Sequence, residues 1–129
     1  MISDNGTVYG IAASNSLLYF TDPKSGILAE MDHSGNNHRV IVNREDFQEP
    51  TTLTVNPHTG ELYVVHESFP AVISRVSRDG HVTEMVIPAT KPAGLAVDPA
   101  TGVLYYTDER DTLIRRLAPG KHEVLDWRK

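Results

Sequence analysis

Gly94-Leu-Ala-Val-Asp-Pro-Ala-Thr-Gly-Val-Leu104-Tyr-Tyr-Thr-Asp108 reads as a strand, a Pro-to-Gly turn and a second strand. Earlier in the chain the same sentence runs Thr52-Leu-Thr-Val-Asn-Pro-His-Thr-Gly-Glu-Leu62-Tyr-Val-Val-His66. A third, shortened version reads Tyr9-Gly-Ile-Ala-Ala13, then Leu18-Tyr-Phe-Thr-Asp22. Gly10, Thr52 and Gly94 are spaced by 42 residues (52−10 and 94−52). A period of that length, built from short strands, marks an array of similar units stacked on one another.

Each unit carries four strand signals separated by turn residues. In the third unit these are residues 93–98, 103–108, 113–117 and 121–125; in the second, 51–56, 61–66, 71–77 and 81–87; in the first, 8–13, 17–21, 27–32 and 39–42. Asp79-Gly80 and Ser34-Gly35 supply the positive φ that tight hairpins need. Pro57 and Pro99 preset φ at the start of their turns, and the first unit lacks this insertion, so its first hairpin is two residues tighter. Inner strands such as Gly94-Leu-Ala-Val-Asp98 are nearly continuous apolar runs, which suits a strand buried on both faces. No amphipathic helical stretch survives the Gly, Pro and β-branched interruptions. The pattern predicts an all-β propeller of four-stranded blades, three per chain, at about residues 8–42, 51–87 and 93–126 of a single domain spanning 1–129.

The chain has 129 residues, 40% hydrophobic and 22% charged, a globular composition. Its net charge of −5 leaves no concentrated cationic surface for nucleic acid. The adjacent pair Arg115-Arg116 reads as a solvated strand end. With no cysteine, disulfides and thiolate metal sites are excluded. No apolar run approaches a membrane span, and the first residues do not read as a signal peptide. Asn5-Gly6-Thr7 is a glycosylation sequon or, more simply, a polar turn.

Leu18-Tyr-Phe-Thr-Asp22 and Leu104-Tyr-Tyr-Thr-Asp108 resemble the YWTD repeat, the class B repeat of the low-density lipoprotein receptor family. The stretch from Ile27 to Ile41, followed by Gln48-Glu-Pro50, is similar to that family's third strand, Asp-x-x-Gly turn, outer strand and Pro-led return. NHL-type propellers are the runner-up, through Asp111-Thr-Leu-Ile-Arg-Arg-Leu117. The resemblance implies an extracellular setting, a six-bladed ring, and a structural role for Asp22 and Asp108 in tying one blade to the next. The middle copy has lost Thr and Asp, so His66 is expected to make a weaker or differently built tie. At ~60° per blade, three blades sweep half a circle. Two half-rings related by a twofold axis would bury both bare faces, so a homodimer is expected. A piece of a longer chain and an open stack capped by partners are the other arrangements.

Asp98, Asn56 and Ser14 end equivalent inner strands, and in six-bladed lactonase-like hydrolases such positions converge on calcium. The favoured reading is that they cap their own turns. The six histidines, His33, His38, His58, His66, His81 and His122, form no metal-pair motif, and His33 and His38 flank a hairpin where exposed residues belong. No nucleophile elbow occurs. Neither cofactor, metal nor catalysis is expected. The loops joining strands two to three (residues 22–26, 67–70 and 109–112) and four to one (43–50 and 88–92) form the expected ligand face. They carry Lys24, Phe47, Phe69 and Arg110, with Glu45, Asp46 and Glu49, a set suited to anchoring a protein or peptide. The alternative for each Phe is packing beneath its own loop. The expected function is non-catalytic protein or peptide binding or scaffolding. Its alternatives are a calcium-dependent hydrolase of the lactonase or esterase type, and a purely self-assembling structural fragment.

Overall fold

The structure, a computed structural model, describes residues 8–43, 47–68, 70–118 and 121–127. Among the described residues, twelve strands lie in three four-stranded antiparallel sheets, each a meander in chain order. Blade 1 holds β1 (Ile11–Ala13), β2 (Leu17–Asp22), β3 (Ile27–Asp32) and β4 (Arg39–Asn43); blade 2 holds β5 (Pro50–Val55), β6 (Leu62–His66), β7 (Val72–Val76) and β8 (Val82–Val86). Blade 3 holds β9 (Pro92–Val97), β10 (Leu104–Asp108), β11 (Ile114–Ala118) and β12 (Lys121–Leu125). The first strands touch along one edge, β1 against β5 and β5 against β9, so the sheets fan outward from a common inner side.

Turn chemistry explains the hairpins. Gly35 and Gly80 both sit at φ 88°, a backbone state that costs glycine little and other residues more. The first hairpin of blade 1 closes from Ser14 N–H to the Leu17 carbonyl, whereas its counterparts run from Asn56 to Glu61 and from Asp98 to Val103, two residues longer. Pro50 and Pro92 open inner strands, where a missing N–H is tolerated, and the ladders they begin shift register before they settle.

Two apolar layers hold the blades together. Between blades 1 and 2 lie Tyr19, Leu28, Val42, Phe47, Leu53, Val55, Leu62, Val64 and Val76. Between blades 2 and 3 lie Tyr63, Val65, Ala71, Ile73, Ile87, Leu104 and Tyr106. Period-two alternation assigns the faces. Tyr19 and Tyr63 look toward the following blade, while Val64 and Tyr106, one residue on from the equivalent tyrosines, look back at the preceding one. Each fully buried side chain of this kind contributes about 1.5–3 kcal/mol.

The expectation that inner strands are buried on both faces holds only in part. β5 is largely buried, but β9 alternates between part-buried and exposed positions after Pro92, and β1 leaves Ile11 64% exposed. The strand buried at every position is β6, because blade 2 alone has a neighbour on each side. Arg115 and Arg116 are also relocated. They lie inside β11 rather than at a solvated end, paired with Asp111 at 2.7 Å and Glu123 at 2.9 Å.

Candidate functional site

The ends of strands two and four and the starts of strands three and one meet on one rim of the fan. Beneath that rim blades 2 and 3 each anchor the return segment arriving from the preceding blade. In blade 3 the Asp108 carboxylate, 5% exposed, accepts N–H bonds from Thr90 at 2.9 Å, Lys91 at 3.2 Å and Arg110 at 3.0 Å. Burial pushes this carboxyl up, and the three backbone donors together outweigh it, leaving the group below its ordinary value of 3.8. Its contribution to stability is therefore complete above that ordinary value and is lost as pH falls through the lower folded-state value. Asp108→Asn is expected to cost about 1–2 kcal/mol near neutrality. In urea unfolding, the gap between wild type and variant should narrow in acid.

Blade 2 makes the same anchor with reversed polarity. His66, 2% exposed, reaches the Gln48 carbonyl through Nδ1 at 2.7 Å and the Ser74 hydroxyl through Nε2 at 2.8 Å. A carbonyl only accepts, so Nδ1 carries the proton and Nε2 accepts from Ser74. The Phe47 ring meets the imidazole edge-on, with centroids 4.6 Å apart at 89°. Desolvation lowers the His66 pKa, against smaller raising effects of the Gln48 bond and the Glu84 charge, and holds the ring neutral. The tie of blade 2 is thus differently made: where Asp108 receives two N–H groups from the return, His66 donates to its carbonyl. In blade 1, Asp22 Oδ1 accepts from Lys24 N–H at 3.1 Å and Ser25 N–H at 3.2 Å, which fixes the loop that carries Lys24.

A second device works one residue earlier. The Gly10 N–H donates to Thr21 Oγ1 at 3.0 Å, and that hydroxyl donates to the Thr51 carbonyl of blade 2 at 2.6 Å. A Cβ on Gly10 would stand 2.1 Å from the Thr51 carbonyl oxygen. In blade 3 the Gly94 N–H makes the equivalent bond to Thr107 Oγ1 at 2.9 Å. Blade 2 lacks the hydroxyl at Val65 and has Thr52 in place of the glycine, so glycine and threonine occur as a pair or not at all.

Above these anchors the rim is open and charged. Tyr9, Pro23, Lys24, Glu49, Thr51 and Glu67 line one shallow depression. Pro23, Lys24, Ser25, Gly26, Gln48 and Glu49 line a second beside it, with Phe47 buried beneath. Glu49 has φ 45°, a left-handed conformation uncommon for a side-chain-bearing residue, and its carbonyl accepts Glu67 N–H at 3.2 Å. The matching bond in blade 3 joins Glu109 N–H to the Lys91 carbonyl at 3.0 Å, and the two side chains pair at 3.1 Å. That pair is exposed and adds little stability.

Of the residues expected to anchor a ligand, Lys24 is exposed and lines both depressions, and Arg110 is exposed beside the Asp108 anchor. Phe47 is corrected: with no exposed surface it belongs to the layer between blades 1 and 2, where it supports the rim from beneath. Phe69, Glu45 and Asp46 lie outside the described residues. Tyr9, Glu67, Lys91 and Glu109 join the rim without having been singled out. The repeat held the signal, since Glu67 and Glu109 both follow the anchor residue, and Glu49 and Lys91 both precede the return proline.

The positions considered for calcium are engaged in their own turns. Asp98 Oδ1 accepts Ala100 N–H at 3.0 Å, Asn56 Oδ1 accepts His58 N–H at 3.0 Å, and Ser14 Oγ accepts Leu17 N–H at 3.3 Å. Each is an Asx- or Ser-capped turn. His33 and His38 are exposed on their hairpin.

No family model matches the chain. Solved structures do. A chain of a nidogen/laminin complex superposes with a TM-score of 0.79 at 19% identity, over 94% of this chain and 48% of that one. Virginiamycin B lyase from Staphylococcus aureus follows with a TM-score of 0.74 at 21% identity, over 98% of this chain and 43% of that one. A protein described as a putative gluconolactonase gives 0.65 at 19% identity, over 84% of this chain and 44% of that one. These neighbours are β-propellers. The chain has the propeller fold, in the amount of one half. It spans less than half the length of each of these neighbours. The fold agrees with the resemblance to YWTD and NHL-type blades, and it is shared by binding proteins and enzymes alike.

Proposed function

We propose that this half-propeller is a non-catalytic module that binds a protein or peptide on its charged rim and is completed to a ring by a second copy. The observation that carries the reading is the division of labour at the rim. Its buried polar groups, Asp22, Asp108 and His66, are engaged by the backbone beneath, while Lys24, Glu49 and Glu67 line open, shallow depressions and Lys91, Glu109 and Arg110 stand exposed on the blade-3 stretch of the rim. Shallow surfaces with both signs of charge suit an extended chain better than a small enclosed substrate. An extracellular setting, implied by the YWTD resemblance, is part of this proposal. Among the described residues no helix is long and apolar enough to cross a membrane.

Light scattering on a sizing column tests the assembly: a species of about 29 kDa, twice 14.3 kDa, is expected. Calorimetric titration with a panel of synthetic acidic, basic and mixed-charge peptides tests the rim. Lys24→Glu combined with Arg110→Glu is expected to weaken the best acidic or mixed peptide about tenfold or more, the worth of about 1.4 kcal/mol. Added salt should weaken it too. Failure of every peptide class to bind saturably overturns the binding reading. Calcium-dependent turnover of a lactone or ester, abolished by Asp98→Ala, overturns the non-catalytic one.

A further inference from the structure

The two open ends of the fan carry the two sides of the contact that joins blade to blade within the chain. Blade 3 presents its outgoing face with Gly94, Tyr105 and Thr107, the positions that in blade 1 are Gly10, Tyr19 and Thr21. Within the chain those three are buried against blade 2. In blade 3 Tyr105 and Thr107 are part-exposed and Gly94 is exposed. Blade 1 presents its incoming face with the Tyr9 backbone and Ile11, equivalent to Thr51 and Leu53. Leu53 is 5% exposed under blade 1, whereas Ile11 is 64% exposed.

The hydrogen-bond inventory has the same gap. Thr21 passes its hydroxyl proton to the Thr51 carbonyl of the next blade. Thr107 accepts the Gly94 N–H in the same way, and among the described residues its own proton has no acceptor. The carbonyl that matches Thr51 is that of Tyr9. Gly94 carries the same signature: a Cβ there would meet, within 4 Å, only Thr107 Oγ1, at 3.0 Å, whereas the Cβ of Gly10 would strike the carbonyl of the following blade. The glycine leaves room for a backbone that one copy of the chain does not supply.

We propose that blade 3 of one copy closes on blade 1 of a second copy, with the Thr107 hydroxyl donating to the second copy's Tyr9 carbonyl, Gly94 letting that carbonyl approach, and Ile11 covering Tyr105. This deepens the proposed function and rests on its two-copy ring. A second copy is the occupant favoured because both halves of the missing contact lie on this one chain, and because three blades match about half of each neighbouring structure. The seam falls on the inner strands. Further out on the incoming face, Phe20 and Ala29 are already buried within blade 1, so little apolar surface remains there to cover. A twofold arrangement makes two identical seams, and any weakening counts twice.

The test is dimer dissociation by sedimentation or mass photometry on the whole chain, with the urea midpoint as control for folding. Thr107→Val removes the seam bond, about fivefold per seam, so about 25-fold weaker dimerisation is expected. It also removes the acceptor of the exposed Gly94 N–H within the chain, so the midpoint of the dissociated chain should fall only by the small amount that one exposed hydrogen bond contributes. Gly94→Ala is expected to leave monomer at every accessible concentration, and Ile11→Ser to weaken the dimer. Should Gly94→Ala fail to fold, Thr107→Val and Ile11→Ser carry the result. A wild-type dimer whose dissociation is unmoved by these substitutions overturns the seam while the two-copy ring stands. A wild-type chain that stays monomeric overturns both, and assigns the open ends to other blades or partners.

Discussion

Gly10→Ala is expected to lower the stability of the chain by about 3 kcal/mol or more, a large effect for one methyl group. Overpacking usually costs about 1–3 kcal/mol because neighbours can yield. Here the obstacle is backbone: the added carbon would lie 2.1 Å from the Thr51 carbonyl oxygen, 2.9 Å from Leu53 Cδ2 and 3.0 Å from Thr21 Oγ1. Relief requires blade 1 to move off blade 2. That motion would break the Thr21–Thr51 hydrogen bond and open the apolar layer holding Tyr19 and Leu53. The check is urea unfolding of Gly10→Ala beside Gly94→Ala, read on dissociated protein. The same substitution at the equivalent site of blade 3 meets only the Thr107 hydroxyl and should cost a small fraction as much. Equal losses at the two sites would show that the methyl acts through its own strand and not through the neighbouring blade.

His66→Asp is the second large effect, and its direction runs against the repeat. Aspartate stands at this position in blades 1 and 3, so the substitution restores the motif. The site nonetheless presents the Gln48 carbonyl, not an N–H pair, to the residue at 66. A carboxylate placed there is buried, faces another acceptor, loses the contact with Phe47 and lacks the two return-segment N–H groups that hold Asp108. Breaking a buried polar arrangement so that a charge is left uncompensated costs about 3–5 kcal/mol. His66→Asn retains an N–H donor and should cost markedly less. The wild type has its own pH signature. Because the folded-state pKa of His66 lies below its ordinary value of 6.5, stability is full above that value and declines as pH falls toward the folded-state value. His66→Asn should remove that part of the decline. Urea midpoints across this range, for the wild type and both variants, decide the matter.

Most of the architecture could be read from the repeat. The expected strands coincide with the observed ones to within a residue or two nearly throughout, because the Pro-to-Gly turns and the Asp79-Gly80 and Ser34-Gly35 hairpins fix where each strand must stop. The first strand departs most, starting at Ile11 rather than residue 8. Burial was less legible. An apolar run such as Gly94-Leu-Ala-Val records what a position is built to touch, not whether the neighbour is present in the same chain. Phe47 was ambiguous for a related reason: a lone aromatic in a loop has the same composition whether it points out to a ligand or down onto a buried histidine. The reversed anchor at His66 was visible only as a broken motif, since side-chain identity says nothing of whether the opposing backbone offers N–H or C=O. The rim charges Glu67, Lys91 and Glu109 were within reach by aligning the repeats on the anchor and on the return proline.

The complete burial of β6 has a consequence for how the molecule comes apart. Regions with many buried apolar contacts open at free energies near that of global unfolding, and edges with few open far more cheaply. The blade-2 centre strand belongs to the first kind; β1, with two of its three residues exposed, and β12, with three of its five exposed, belong to the second. Fluctuations therefore begin at the two outer blades and die away toward the middle. The surfaces left for association are the parts of the chain that breathe, and whatever covers them also quietens them.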